Sequence, residues 1–265
     1  MTDITALTDK KGYIKISALD HRDSLRKILS EDEIVKFKSL CVKTFSPFVT
    51  AVLLDPEYLE NVKERFSIPL ITSLEKSGYK ETPEGRQTEL YGDYFDSKTA
   101  KRIGASATKL LLYYNSEAPI KHLQIALAKR CFLESHGENL PLLLEIVTYP
   151  FQDKVYNESL EIKRGLEDLL EFGDILKINY CEDIQVLSEL KYLSKPWVLL
   201  SRGREFNDYK KCLVNARAIG GASGFAAGRA LWQEVGNLKS WNKKEDFVKS
   251  IVVSRLKELA EVFED

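Results

Sequence analysis

Eight short apolar runs alternating with longer segments of helical period predict a single-domain (β/α)8 TIM barrel, an α/β fold taking in residues 1–265. The runs are rich in Leu, Ile and Val with few polar interruptions, as suits strands buried on both faces of a parallel sheet. No proline- or serine-rich linker divides the 265 residues, no tandem repeat is visible, and α/β barrels of this length fold as one unit. A doubly wound sheet is the structural rival. It usually carries a glycine-rich phosphate turn after its first strand, whereas here that strand runs into Asp20-His21-Arg22.

In chain order, the first strand is expected at Ile14–Leu19. Ser30 followed by Glu33 reads as a capping box opening a helix over Glu31–Thr44. A strand at Ala51–Leu54 leads into Asp55-Pro56, which puts proline at the first position of a helix running to about Phe66. The third strand, Leu70–Leu74, precedes Lys76–Tyr94, a polar stretch without clear period that reads equally as surface loop or as lid. A helix over Ser97–Ile103 ends at Gly104, a natural residue past a helix end. The remaining strands are Lys109–Tyr113, Leu142–Val147, Ile175–Asn179, Trp197–Ser201 and Phe225–Gly228. Helices with an i, i+3, i+4 apolar stripe are expected at Ile120–Ser135, Asn157–Phe172 and Glu205–Ile219, and Lys243–Phe263 closes the chain.

Lys and Arg total 39 against 40 Asp and Glu, a net charge of −1, so nucleic-acid binding through a global basic field is excluded. The longest apolar runs, Leu110–Tyr114 and Leu140–Leu144, are far short of the ~20 residues a spanning helix needs. The first residues have no apolar stretch of signal-peptide type, so neither a membrane nor a secretory address is expected. The cysteines at 41, 131, 181 and 212 form no Cys-x-x-Cys pair and read as packed thiols in a reducing, cytoplasmic setting.

The informative anomaly is charge inside strands. Lys109, Glu145 and Lys177 each interrupt an apolar run on the fourth, fifth and sixth strands, where a parallel sheet has no solvent face to receive them. A barrel resolves this, because alternate strand residues point inward and catalytic groups gather at the C-terminal mouth. Two lysines flanking one carboxylate disfavour each other's charge, so one can be a free amine, the nucleophile that forms a Schiff base with a ketone. The glutamate would move the protons. The plain alternative is a buried Lys–Glu–Lys ion cluster without chemistry. Asp20, at the end of the first strand, reads either as a contact to substrate hydroxyls or as a helix N-cap. His21 and Arg22 are rim or helix-start residues.

The last two strands carry the pattern of a phosphate site: Ser201-Arg202-Gly203-Arg204 after the seventh and Gly228-Arg229 after the eighth. Glycines let backbone N–H groups approach an anion, and arginine supplies a fork of donors. Gly220-Gly221 reads instead as the end of a helix. Histidine occurs only at 21, 122 and 136, too sparse for a zinc site of catalytic type, so amine chemistry without a metal cofactor is expected.

The chain resembles the class I tagatose-1,6-bisphosphate aldolases and their relatives acting on sulfofructose phosphate. The resemblance is carried by Ala18-Leu-Asp20-His-Arg22, Leu53-Leu-Asp55-Pro-Glu57-Tyr58, Glu75-Lys-Ser-Gly-Tyr79, Lys109-Leu-Leu-Leu-Tyr-Tyr114, Leu143-Leu-Glu145, Leu176-Lys177, Leu200-Ser201 and Gly228-Arg-Ala-Leu-Trp232. It implies a Schiff base on Lys177, with Glu145 as acid/base, Lys109 as electrostatic partner and Asp20 orienting hydroxyls. It further implies that Ser201, Gly203, Gly228 and Arg229 hold a phosphate of a phosphorylated ketose. His21 stands where the family usually has glutamine. Arg202 and Arg204 crowd a loop where smaller residues are usual and would suit a second anionic group. A homo-oligomer is left open.

Overall fold

A computed structural model describes residues 2–62 and 68–264. Eight parallel strands close into a barrel: β1 (Ile14–Ala18), β2 (Ala51–Leu54), β3 (Leu70–Ser73), β6 (Ala107–Tyr114), β7 (Leu142–Thr148), β8 (Ile175–Ile178), β9 (Trp197–Leu200) and β10 (Gly224–Ala227). The intervening numbers, β4 (Lys80–Thr82) and β5 (Gly85–Gln87), form a small antiparallel hairpin outside the ring. Around the ring the order follows the chain, and β10 pairs with β1 to close it. Among the described residues no helix is long and apolar enough to cross a membrane.

Outside the ring lie α1 (Asp23–Arg26), α2 (Glu31–Phe45), α3 (Pro56–Val62), α4 (Ser97–Arg102), α5 (Lys121–Gly137), α6 (Glu158–Leu169), α7 (Ile184–Glu189) and α8 (Phe206–Ala218). They are followed by α9 (Arg229–Trp232), α10 (Trp241–Phe247) and α11 (Val253–Glu261). The capping box at α2 forms in full: Ser30 Oγ accepts from the Glu33 N–H, and the Glu33 carboxylate accepts from the Ser30 N–H. Pro56 opens α3 as its fixed φ allows, while the end expected near Phe66 lies outside the described residues.

Two expectations are corrected. The closing helix is interrupted by a π turn at Val248–Val252, which separates α10 from α11. The apolar stripe on α5 packs only in part, with Ile125, Leu127 and Phe132 half-buried against the core. Its buried residues are Gln124, Ala128, Cys131 and Ser135, while Leu123 and Leu133 are exposed. Polar bonds hold this helix. Ser135 Oγ pairs with the hydroxyls of Ser97 and Thr108, and Gln124 Nε2 donates to the carbonyls of Arg86 and Tyr113. The fully buried positions of α5 are thus small or polar, whereas α2 buries Ile34, Phe37 and Phe45.

The pleat sorts the strand residues into two sets. Leu110, Leu112, Leu144, Ile146, Leu176, Ile178, Leu199 and Phe225 pack outward against the helices. Ile14, Ile16, Ala51, Leu53, Ile71, Ala107, Leu143, Ile175, Val198 and Ala226 fill the inside of the ring. Leu7, from a short 3-10 turn at Thr5–Leu7, joins this inner cluster. Counting two residues onward from Ala107, Leu143 and Ile175 gives Lys109, Glu145 and Lys177, which therefore share the inward parity and lie nearer the C-terminal mouth.

Candidate active site

At that mouth is a cavity of about 600 Å³ whose walls include Asp20, Glu75, Lys109, Glu145 and Lys177. Register brings the ionic groups together. Glu145 faces Lys177 across the β7–β8 pair, and the Lys177 Nζ donates to Glu145 Oε2 at 2.8 Å. Lys109 Nζ lies 2.9 Å from the same Glu145 oxygen, 2.9 Å from Asp20 Oδ2 and 2.6 Å from Glu75 Oε1. These side chains are almost fully buried, Lys109 at 1% exposed and Lys177 at 5%. Each charge therefore depends on its neighbours rather than on water.

Both lysines flank the one carboxylate of Glu145, as expected, but Lys109 has two more carboxylates besides. Lys109 is enclosed by three carboxylates and Lys177 touches one. Burial alone would lower the Lys109 ammonium, but Asp20, Glu145 and Glu75 together raise it well above the ordinary range, so Lys109 is a fixed cation. Burial likewise works to raise Glu145 and Asp20, yet Lys109 and Lys177 hold both below the usual carboxylate range. Burial raises Glu75, with Lys109 and Arg22 countering only in part.

Glu75 is the functional residue that the sequence reading left without a role. It follows β3, and its second oxygen accepts from the Leu111 N–H at 3.2 Å. The available signal was a charge directly after an apolar strand, the same signal that singled out Asp20. Asp20 is not a helix N-cap. Arg22 occupies the residue before α1, and the Asp20 carboxylate is spent on Lys109.

The other expected residues divide. Arg22 lines the cavity but is buried, its guanidinium donating to the Glu75 carbonyl at 3.1 Å and to the Tyr91 hydroxyl at 2.7 Å. Tyr91 in turn donates to Glu57, so Arg22 braces the Glu75 backbone. His21 stands edge-on to Trp232 and packs on Gly228, where a Cβ would come within 2.5 Å of the imidazole Cε1. Glycine is required there. Burial lowers the His21 ring to about 4, with Arg229 and Lys177 adding to the effect against Asp20.

At the opposite lip, Ser201 Oγ accepts from the Gly228 N–H at 3.4 Å. Gly203 has a left-handed φ of +74° and lies against the Arg229 guanidinium, as a Cβ there would sit 3.2 Å from Cζ. Arg229 has no ion-pair partner among the described residues, and its Nε is buried without a hydrogen bond. Arg202 and Arg204 differ. Arg202, expected at the phosphate, lines the cavity but gives its guanidinium to Glu158, and Arg204 bonds Glu182 at 2.7 Å. Each of these two arginines is thus paired with a carboxylate at the rim.

Lys76–Tyr94 is tied down along its second half. The Thr88 hydroxyl donates to the Leu111 carbonyl, the Arg86 N–H donates to the Tyr149 hydroxyl, and Glu75 and Leu90 form a β-bridge. Its first residues, Lys76 to Tyr79, border the cavity. Among the described residues no group of three or more His, Cys, Asp or Glu is arranged to hold a metal ion.

A family model described as DeoC/LacD family aldolase matches residues 14–234, most of the barrel. The chain belongs to this family. It is a class I aldolase, a lyase acting through a lysine Schiff base. Among its relatives is a tagatose 1,6-diphosphate aldolase of Enterococcus faecalis, 30% identical, with 86% of this chain and 82% of the relative covered. The barrel also superposes on solved structures. A Corynebacterium glutamicum protein aligns with TM-score 0.72 at 14% identity, covering 97% of this chain and 87% of that one. An archaeal fructose-1,6-bisphosphate aldolase, with its catalytic lysine bound to a carbinolamine, aligns with TM-score 0.64 at 18% identity over 96% of each chain. At these identities the two structures speak for the fold of the aldolase.

Proposed function

We propose that this aldolase reversibly cleaves a ketose 1,6-bisphosphate, tagatose or fructose, into dihydroxyacetone phosphate and glyceraldehyde 3-phosphate, with Lys177 as the Schiff-base lysine. The observation that carries this reading is the contact of Lys177 with a single carboxylate at the floor of the cavity, 2.8 Å away, beside a lysine that three carboxylates keep charged. The name of the Enterococcus relative supports the substrate.

Lys177 passes a proton to Glu145 and its Nζ adds to the C2 carbonyl. Glu145 returns that proton to the carbinolamine hydroxyl, which leaves as water, and a protonated imine remains. The C4 hydroxyl then gives its proton to the Glu145 carboxylate. The C3–C4 bond breaks with its electron pair moving toward the iminium nitrogen, and the aldehyde departs. Glu145 protonates the enamine at C3, and water hydrolyses the imine to free Lys177 and dihydroxyacetone phosphate. Lys109 holds Glu145 in place and keeps Asp20 anionic, and Asp20 orients substrate hydroxyls. Ser201, Gly203, Gly228 and Arg229 hold the 1-phosphate, so that C2 faces the amine; positioning of this kind supplies several kcal/mol of the barrier.

Borohydride reduction in the presence of dihydroxyacetone phosphate tests the reading. The expected product is one covalent adduct, mapped by peptide mass to Lys177. No adduct, or an adduct on another lysine, sinks it.

A further inference from the structure

The order of strands around the ring lays out the order of atoms along the substrate. The β9 and β10 ends hold Ser201 and Arg229, β8 holds Lys177, β7 holds Glu145, and β6 comes next. With the 1-phosphate at β9 and β10 and C2 on Lys177, the half that leaves as aldehyde extends over β7 toward β6. The residue that β6 presents there is Tyr113. It shares the inward parity of Lys109, stands two residues nearer the mouth than Leu111, the register partner of Glu145, and lines the cavity.

Tyr113 is held through its ring and its backbone. Its ring lies edge-on to Tyr79 with centroids 4.7 Å apart. Tyr79 is held in turn by the Arg86 guanidinium, 4.4 Å from its ring and 4.7 Å from that of Tyr149. The Tyr113 N–H donates to Thr88 Oγ1 at 3.4 Å. The hydroxyl itself has no partner among the described residues. Burial, reinforced by the nearby Glu145 carboxylate, raises the phenol to about 12, so it keeps its proton and can donate at neutral pH.

We propose that Tyr113 is a further catalytic residue, whose hydroxyl donates a hydrogen bond to the C4 oxygen of the ketose. As the C4 hydroxyl loses its proton to Glu145, negative charge grows on that oxygen, and a donor fixed beforehand stabilises it without reorganisation. In the condensation direction the same bond polarises the aldehyde carbonyl. No proton is transferred from Tyr113. The inference rests on the reading of Lys177 and Glu145 above.

Tyr113→Phe keeps the ring and its packing on Tyr79 and removes only the donor. Two reactions are compared. One is cleavage of the ketose bisphosphate, which involves C4. The other is solvent-deuterium exchange at the hydroxymethyl carbon of dihydroxyacetone phosphate, which needs the imine and enamine but has no C4. The expected result is a fall of about 10- to 100-fold in kcat/KM for cleavage, the loss from one hydrogen bond to a developing charge, with exchange unchanged. Unchanged cleavage overturns the proposal. An equal fall in both reactions overturns it too, because Tyr113 would then serve the imine or the fold. Wild-type protein that exchanges no deuterium overturns the Schiff-base reading and this proposal with it.

Discussion

The interior of the barrel has two halves that differ in everything but backbone. In the lower half Ala107, Leu143 and Ile175 meet Leu7, Ile14 and Val198 in an apolar cluster. Two residues further along the same strands, about 6–7 Å at strand rise, Lys109, Glu145 and Lys177 meet Asp20 and Glu75. The pleat aims both layers inward, and only depth separates them. Below, each side chain is stabilised by leaving water. Above, each is stabilised by its particular neighbours, so a charge removed there leaves buried partners behind.

Substitutions in the two layers sharpen this contrast, and the largest effects are expected there. Leu143→Ala should cost about 2–5 kcal/mol of stability through the cavity it opens, while turnover per folded molecule is kept. Lys109→Met leaves Asp20, Glu75 and Glu145 buried without their shared cation, at about 3–5 kcal/mol, and should lose turnover as well. Urea denaturation beside cleavage rates of the folded fraction checks both. Retained activity in Lys109→Met would remove the distinction between the layers.

The mouth offers a second contrast, between arginines with and without a carboxylate. Arg229→Ala should raise KM about 10- to 100-fold, since a charge-assisted contact to phosphate is lost. Arg202→Ala, whose guanidinium is already engaged by Glu158, should shift KM by no more than about threefold, the scale of an exposed ion pair. Equal effects would mean that Arg202 leaves Glu158 for the substrate.

A third contrast is a pH dependence. Burial lowers His21 from 6.5 to about 4, so the folded chain takes up its proton less readily than the unfolded one. Its contribution to stability is complete above about pH 6.5 and is lost as pH falls toward 4. His21→Gln should flatten the fall of the urea midpoint across that window. Asp20 and Glu145, held below their ordinary 3.8 and 4.5, add a loss that sets in only at lower pH. A midpoint curve of unchanged slope in His21→Gln would show that the ring titrates alike in both states.

Much of this was legible in the residues. Continuous apolarity with a charge at one position is a pattern that a doubly buried strand explains in one way, so Lys109, Glu145 and Lys177 could be singled out without coordinates. The capping box at Ser30 and the proline opening α3 are local and formed as read. The fully buried positions of α5 were not legible, because polar residues bury only when their partners, here Ser97, Thr108 and two carbonyls, come from distant chain. Glu75 was missed for the same reason. Its meaning lies in Lys109, thirty-four residues away in sequence and 2.6 Å away in space.

Strand parity, the site of charge within apolar runs and the anion-seeking glycines and arginine are properties of short segments, and the order of residues alone determined them. Which of two lysines is enclosed by carboxylates, which arginine at the mouth lacks one and which tyrosine lines the cavity were decided only when the ring closed. Electrostatic and hydrogen-bonding roles depend on distances of a few ångströms between groups that the chain itself holds far apart.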